Sequence, residues 1–373
     1  MWINRRKRIP VIAITGSSGK STTKEMLASI LGQKWRILKS IGNNNAPSHI
    51  RKLLQGLKPS HQACVLEFGA SRPGMIARHC RIKQPTIGII TLLGTAHIGK
   101  FGGLSKLIEA KGELIRGMDP NGLLILNKDD PRTRLLDKGR FRGRTIYFGV
   151  KNECEYKGRN IRYAKNGMRF TVTINGSDEE FFIPIYGAHN VYNALAAMAA
   201  ARELGFSVEH IRRGLARYYR MRRRLRVSKG INDVIVIDDS YSAIPEAVKA
   251  AIDVLVKLKK DRPAVAVLGG MADLGRSSDR IHRQIGHYIA EKRVSKLVTV
   301  GDAAKLIREG AIERGFPSNK TKHFDNLGKA VIGIRRAIPH GSVVLLKASH
   351  RYGFSSLVWM LKNKGDRPPS KRR

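Results

Sequence analysis

Between residue 9 and about 130, apolar positions fall into short runs rich in β-branched residues: Ile9 to Thr15, Ala63 to Phe68, Thr86 to Leu92 and Gly122 to Asn127. Stretches with helical spacing of apolar residues separate them. That alternation predicts a parallel sheet covered by helices. From about Thr145 to Ile185 the pattern switches to alternation, with Phe170, Val172 and Ile174, then Phe181, Ile183 and Ile185, and Asn175-Gly176 between the runs. This is a hairpin signal and predicts a small antiparallel β appendage. An Ala-rich helix is expected from about Asn190 to Leu204, followed by a basic interdomain stretch ending near Arg226. The second half repeats the strand and helix alternation, with strands near Val234 to Ile237, Ala264 to Leu268, Lys296 to Val300 and Ser342 to Leu346. The expected division is therefore one α/β domain over 1–220 and a second over 221–361. The remainder, 362–373, holds Pro368-Pro369 among basic residues and is expected to be a disordered tail.

Composition narrows the class. A chain of 373 residues with 42% hydrophobic content can bury two cores. No apolar run approaches the roughly 20 residues of a membrane-spanning helix. The start, MWINRRKRIPVIAIT, has too short an apolar stretch for a signal peptide and reads as a first strand. Cys64, Cys80 and Cys154 are scattered, with no C-x-x-C pair, so neither a disulfide framework nor a thiolate zinc site is indicated and a reducing cytoplasm is expected. Charge is the anomaly: 70 Lys+Arg against 29 Asp+Glu gives a formal +41. Clusters occur at Arg5 to Arg8 and Arg222 to Arg226, but most basic residues are dispersed. A biased solvated surface and an attraction for polyanions are both compatible with this, and no dedicated nucleic-acid motif is present.

The strongest local chemistry is Thr15-Gly16-Ser17-Ser18-Gly19-Lys20-Ser21-Thr22-Thr23, between an apolar run and a helical stretch carrying Met26, Leu27, Ile30 and Leu31. This is the context of a P-loop, although its G-x-x-G-K-S spacing is two residues shorter than the general phosphate-loop pattern. Gly16 and Gly19 let the backbone of Ser17, Ser18 and their neighbours turn its N–H groups toward phosphate, and the helix N-terminus adds positive potential. Lys20 would then meet the β/γ-phosphates, and the Ser21 hydroxyl would hold Mg²⁺, with Thr22 beside it. Glu67 closes the next apolar run, where ligands of open α/β sheets gather, and is a candidate Mg²⁺ ligand. His97 follows the third run in Gly94-Thr95-Ala96-His97 and is a candidate metal ligand and catalytic group on the same reasoning. Lys111 lies on the apolar face of the stretch Leu104 to Ile115. Such a lysine either snorkels to solvent or is buried with its amine freed for chemistry, including carbamate formation with CO₂.

Together these segments resemble the Mur ligase superfamily, and within it the branch that adds D-Ala-D-Ala to the peptidoglycan precursor. The resemblance is carried by T-G-S-S-G-K-S-T-T-K-E-M at 15–26, N-N-N at 43–45, L-E-F-G-A at 66–70, A-H-I-G-K-F-G at 96–102 and E-A-K-G-E at 109–113. It continues through L-N-K-D-D at 126–130, Y-G-A-H-N-V-Y-N-A-L-A-A at 186–197 and I-D-D-S-Y at 237–241, covering roughly 9–355. It implies a P-loop ATPase domain followed by a Rossmann-like α/β C-terminal domain. It also implies ATP with two Mg²⁺ ions held by Ser21, Glu67, His97 and an N6-carboxylated Lys111. His189, Asn190 and Asn193 would lie near the nucleotide, one Asn holding adenine. Arg224, Asp238 or Asp239, and Tyr241 would approach the nucleotide from the second domain, and Lys347 and Ser349 would lie near the incoming amine.

The implied activity is ATP-dependent joining of a carboxylate to an amine through an acyl phosphate. The expected partners are an anionic acceptor, an amino acid or small peptide as amine donor, and in the periphery an anionic membrane or polymer. Full Mur ligases carry an N-terminal domain that grips a UDP-sugar, and the P-loop here begins at Gly16, so a UDP-linked substrate is not assured by the resemblance. Arg226, Ser242-Ala243-Ile244-Pro245 and Gly269-Gly270-Met271-Ala272-Asp273-Leu274-Gly275 depart from the family's second-domain pattern. A nucleotide-binding scaffold, or a polyanion- or nucleic-acid-binding protein that has lost ligation, is the competing expectation.

Overall fold

The computed structural model describes residues 9–365, so the Arg5 to Arg8 cluster and the tail beyond Gly365 lie outside the described residues. Of the tail expected over 362–373, Lys362 is the last residue of a helix. The chain divides into two compact units. One comprises the residues up to Gly94 together with Lys100–Tyr219; the other comprises Thr95–Gly99 and the residues from Arg220 onward.

The first unit follows the alternation of the sequence. Its elements are β1 (Val11–Thr15), α1 (Lys20–Leu31), β2 (Ile37–Lys39), α2 (Pro47–Leu54), β3 (Ala63–Glu67), α3 (Met75–Ile82), β4 (Ile87–Ile90), α4 (Ile98–Phe101), whose first two residues group with the second unit, and α5 (Leu104–Gly117). They continue as β5 (Leu123–Asn127), β6 (Arg144–Gly149), β7 (Tyr156–Ala164), β8 (Gly167–Ile174), β9 (Ser177–Ile183), α6 (Ala188–Glu203) and α7 (Val208–Ala216). A nine-stranded sheet runs β2-β3-β1-β4-β5-β6-β7-β8-β9. Every residue of β1, β3 and β4 is buried, as strands covered on both faces require. The parallel register sets Ile14 beside Glu67 and Thr15 beside Ile90, bringing three strand ends level.

The expected hairpin is β8–β9, with Asn175 (φ 52) and Gly176 (φ 81) in the left-handed turn that Asn-Gly favours. The antiparallel part continues the same sheet: β6 pairs with β7 in parallel, and β7 to β9 pair antiparallel. The sequence pattern misses β7 because the register shifts between Arg159 and Arg162, and this irregularity breaks the two-residue alternation. The strand β2, with three half-buried residues, is too short to signal itself.

The second unit contains β10 (Arg226–Lys229), β11 (Ile235–Asp238), α8 (Pro245–Leu258), β12 (Ala264–Gly269), α9 (Ser278–Ala290), β13 (Lys296–Val300) and α10 (Asp302–Glu313). It ends with β14 (Thr321–Phe324), α11 (Leu327–Ala337), β15 (Val343–Lys347) and α12 (Ser355–Lys362). Its six-stranded sheet runs β10-β11-β15-β12-β13-β14, parallel except for the β10–β11 pair. Val236, Val267, Val298, Leu346 and Phe354 pack in one cluster against α11 and α12. Among the described residues no helix is long and apolar enough to cross a membrane.

Candidate active site

From the end of β1 the chain turns through Gly16 (φ 140) and Gly19 (φ 86) into α1, which opens at Lys20 with no side-chain cap. Its first N–H groups are thus oriented as a ready anion site. Both glycines are needed for space as well as for backbone angle. A Cβ on Gly16 would lie 2.2 Å from Thr91 Oγ1, and one on Gly19 would lie 2.2 Å from Asn193 Oδ1. The loop is fastened to the end of β4: Ser17 N donates to Leu92 O at 2.6 Å, Ser17 Oγ to Gly94 O at 2.8 Å, and Thr91 Oγ1 to Ser18 O at 2.5 Å. Lys20 Nζ donates back to Gly16 O at 2.7 Å, so the ammonium lies over the loop. Ser21 and Thr22 follow as buried residues of the first turn.

Asn193 is the rear wall of this loop. Its Oδ1 accepts from Thr23 Oγ1 at 3.3 Å and its Nδ2 donates to Asn190 Oδ1 at 3.0 Å, while Asn190 Nδ2 donates to Tyr186 O at 2.7 Å and lies 3.1 Å from His189 Nε2. Both asparagines are buried. The structure therefore joins α6 to the P-loop through a chain of amides.

Glu67, the last residue of β3, is 1% exposed. Its Oε1 accepts from Asn45 Nδ2 at 2.8 Å, and its own N–H donates to Ser40 Oγ at 3.0 Å. Oε2 accepts no hydrogen bond, and the nearest charge is Lys24 Nζ at 3.9 Å. A buried carboxylate oxygen without a donor costs about 1–3 kcal/mol or more, which a bound cation would recover. Among the described residues no group of three or more His, Cys, Asp or Glu side chains gathers to hold a metal, so the chain itself offers a cation this one carboxylate oxygen beside the loop.

Lys111 resolves in favour of burial. It is 2% exposed on α5, with Nζ 5.9 Å from the centre of the Phe101 ring. Burial pulls the amine down to about 7, the Lys20 charge adds to the fall, and Glu113 opposes it. Glu113 itself accepts from Gly74 N (2.6 Å) and Ala77 N (2.9 Å), anchoring the start of α3.

His97 stands apart from the loop residues in its grouping. It belongs to the segment that groups with the second unit, at φ 61, with Nδ1 2.7 Å from Asp273 Oδ2. Thr95 in the same segment is held by Glu246 through N (3.1 Å) and Oγ1 (3.1 Å).

The other second-domain candidates assemble around Asp239 and Tyr241. Lys347, fully buried on β15, pairs with Asp239 and donates to Ser242 O at 2.9 Å; burial holds its amine below the usual lysine range, against the pull of Asp239. Asp239 Oδ1 also accepts from Leu225 N at 3.2 Å, whereas Asp238 Oδ1 turns to Ser240 Oγ at 2.6 Å. The Arg224 guanidinium lies 4.4 Å from the centre of the Tyr241 ring, which in turn stacks on His350 at 6.1 Å. Ser349 donates its N–H to Gly270 O at 3.2 Å.

Sequence reasoning missed Thr91, Asn45 and Lys24. A signal existed for two of them: Asn45 stands in the N-N-N run, and Lys24 lies one helical turn beyond Lys20.

A parallel α/β sheet with a glycine loop opening onto a helix, an acid at the neighbouring strand end and a second α/β domain define a P-loop nucleotide-using enzyme. Residues 14–201 match the Mur ligase middle domain and 223–350 the family described as Mur ligase, glutamate ligase domain. The chain is 31% identical over 348 residues to the UDP-N-acetylmuramoyl-tripeptide–D-alanyl-D-alanine ligase of Bacillus subtilis, covering 93% of this chain and 75% of that protein. It superimposes on MurF from Acinetobacter baumannii with a TM-score of 0.86 at 32% identity, covering 95% of this chain and 76% of that one. MurF from Thermotoga maritima, solved in complex with ADP, gives 0.82 at 27% identity, covering 95% of this chain and 79% of that one. The chain belongs to the Mur ligase family. It is an ATP-dependent ligase that joins a carboxylate to an amine in an amide bond.

Proposed function

We propose that the chain transfers the γ-phosphate of ATP to the carboxylate of an anionic acceptor and passes the activated acyl group to an amine. The relatives named above act on a UDP-N-acetylmuramoyl-tripeptide and D-alanyl-D-alanine. A peptide-bearing acceptor of that class and a small peptide donor are the substrates we assign here. The carboxylate oxygen attacks the γ-phosphorus and ADP departs. The amine nitrogen then attacks the acyl carbon, loses a proton, and phosphate leaves.

The chain's own part is positional and electrostatic. Loop N–H groups from Ser18 to Thr22 cradle the phosphates, Ser17 fastens the loop to the end of β4, Lys20 supports the transferring group, and Asn193, with Asn190, keeps the loop in its turn. Ser21, Glu67, His97 and an N6-carboxylated Lys111 are the residues we assign to Mg²⁺. When bound, the metal supplies neutralisation of phosphate charge. Burial draws the Lys111 amine down toward neutrality, which favours the unprotonated form that reacts with CO₂. Arg224 and Asp239 are assigned to the nucleotide side of the second domain. The formal +41 favours diffusional capture of a negatively charged acceptor, whether free, on a polymer or at an anionic membrane.

The buried, undonated Oε2 of Glu67 beside the P-loop carries this reading. The test is amine-dependent release of ADP and phosphate across a panel of acidic acceptors that includes the UDP-linked tripeptide. Release that vanishes in Lys20→Ala supports the reading. Nucleotide binding without release for any acceptor and amine pair would favour the scaffold expectation instead.

A further inference from the structure

Lys24 is among the large side chains buried to 0% exposure, four residues past Lys20 on α1 and therefore on the same helical face. A wholly buried ammonium is rare and must be compensated. Its Nζ donates to Ser40 O at 2.8 Å and to Gly42 O, and lies 3.0 Å from Glu25 Oε1. Glu25 also pairs with Lys39. The countercharge of Lys24 is thus supplied by Glu25 and two carbonyls, and the distance to Glu67 Oε2 stays at 3.9 Å, beyond hydrogen-bond range.

The two carbonyls belong to the turn that leads to Asn45. Ser40 of that turn accepts the Glu67 N–H, Gly69 N donates to Asn45 O at 3.2 Å, and Asn45 Nδ2 holds Glu67 Oε1. The fit is tight: a Cβ on Gly69 would lie 2.3 Å from Asn45 Oδ1 and 2.5 Å from Cγ. We propose that Lys24 is a positioning residue for the cation-side carboxylate, fixing the 40–45 turn so that Asn45 occupies one oxygen of Glu67 and the other remains available to a divalent ion. One helix thereby carries both the phosphate-contacting lysine at its first residue and the strut for the acid one turn later. The proposal rests on the assignment of Glu67 to the metal and names a role for a lysine that contacts neither nucleotide nor metal.

The experiment is a Mn²⁺ titration followed by electron paramagnetic resonance in the presence of a non-hydrolysable ATP analogue, alongside analogue binding without metal and thermal unfolding. The variants are Glu67→Gln, Asn45→Ala, Lys24→Met and the Lys24→Met/Asn45→Ala double. Removal of outer-shell support for a metal ligand weakens affinity by about 10- to 100-fold. Lys24→Met and Asn45→Ala are each expected to weaken Mn²⁺ by about tenfold, with metal-free analogue binding changed less than about twofold. The double is expected to be no weaker than the worse single, because both act through one contact. Multiplying effects in the double, or a lowered melting temperature in Lys24→Met with unchanged Mn²⁺ affinity, would overturn the proposal while leaving the Glu67 assignment intact. Unchanged affinity in Glu67→Gln would overturn both. If Lys24→Met does not fold, Glu25→Gln takes its place: it releases Lys24 toward Oε2, and undiminished Mn²⁺ affinity would refute the mechanism.

Discussion

Replacing Gly19 with alanine separates two roles for Asn193, as a wall behind the phosphate loop or as a direct contact to nucleotide. Gly19 sits at φ 86 and ψ −20, where an L-residue costs about 1–2 kcal/mol. Its new methyl would lie 2.2 Å from Asn193 Oδ1, so the amide must withdraw. Withdrawal sacrifices the bonds to Thr23 Oγ1 and Asn190 Oδ1, worth about 1 kcal/mol each. Together the penalty is about 3–4 kcal/mol, or about 10 °C in melting temperature for a domain of this size. Thermal unfolding of Gly19→Ala, Asn193→Ala and the double, each with and without an ATP analogue, tests the sum. With Asn193 removed, the Gly19→Ala penalty should shrink to the backbone share of about 1–2 kcal/mol. An identical penalty in both backgrounds would show that Asn193 is not the wall, and the reasoning from close approach would fail.

In the second domain, Asp239→Ala should cost about 3–5 kcal/mol in urea unfolding, because it strands the Lys347 ammonium at 2% exposure. Lys347→Met should cost less, since Asp239 keeps the Leu225 N–H and some solvent; equal losses would contradict that asymmetry. For pH, His79 is buried, stacked on Phe68 with ring centroids 4.6 Å apart, and donates from Nε2 to Gly69 O at 3.2 Å. Burial lowers it from 6.5 to about 4, with the hydrogen bond to Gly69 O opposing the fall and Arg78 adding to it. Between those values the unfolded chain binds the extra proton, so this contribution is intact above pH 6.5 and is lost as pH falls from 6.5 to about 4, about 3 kcal/mol in all. A His79→Phe variant should flatten the acid limb of the stability profile; an unchanged limb would place the acid sensitivity elsewhere.

What the sequence disclosed was whatever depends on neighbours close in the chain. Gly16 to Lys20 form a turn because strand, glycines and helix adjoin, and Glu67 and Lys111 carry their information in a strand end and a helical stripe. Partners remote in sequence were opaque. Nothing near His97 announces Asp273, and nothing near Gly69 announces that its missing side chain admits Asn45. Asp129 is a further case: three backbone amides, from Val150, Lys151 and Asn152, and the Tyr192 hydroxyl converge on one carboxylate and hold it down to about 2. The composition of β7, interrupted by its register shift, reads as polar coil.

A broad sheet ordinarily offers its outermost strands as templates for a further strand from another molecule. Here β2 contributes three residues, too few to guide such pairing. At the opposite margin β9 opens with Ser177-Asp178-Glu179-Glu180; Glu180 pairs with Arg162 and Arg169, and Arg212 both binds Glu179 and donates from Nε to the Glu180 carbonyl at 3.3 Å. An incoming chain would have to displace the Arg212 guanidinium before bonding to the Glu180 carbonyl. A single arginine from α7 thus makes that margin a poor template for a further strand.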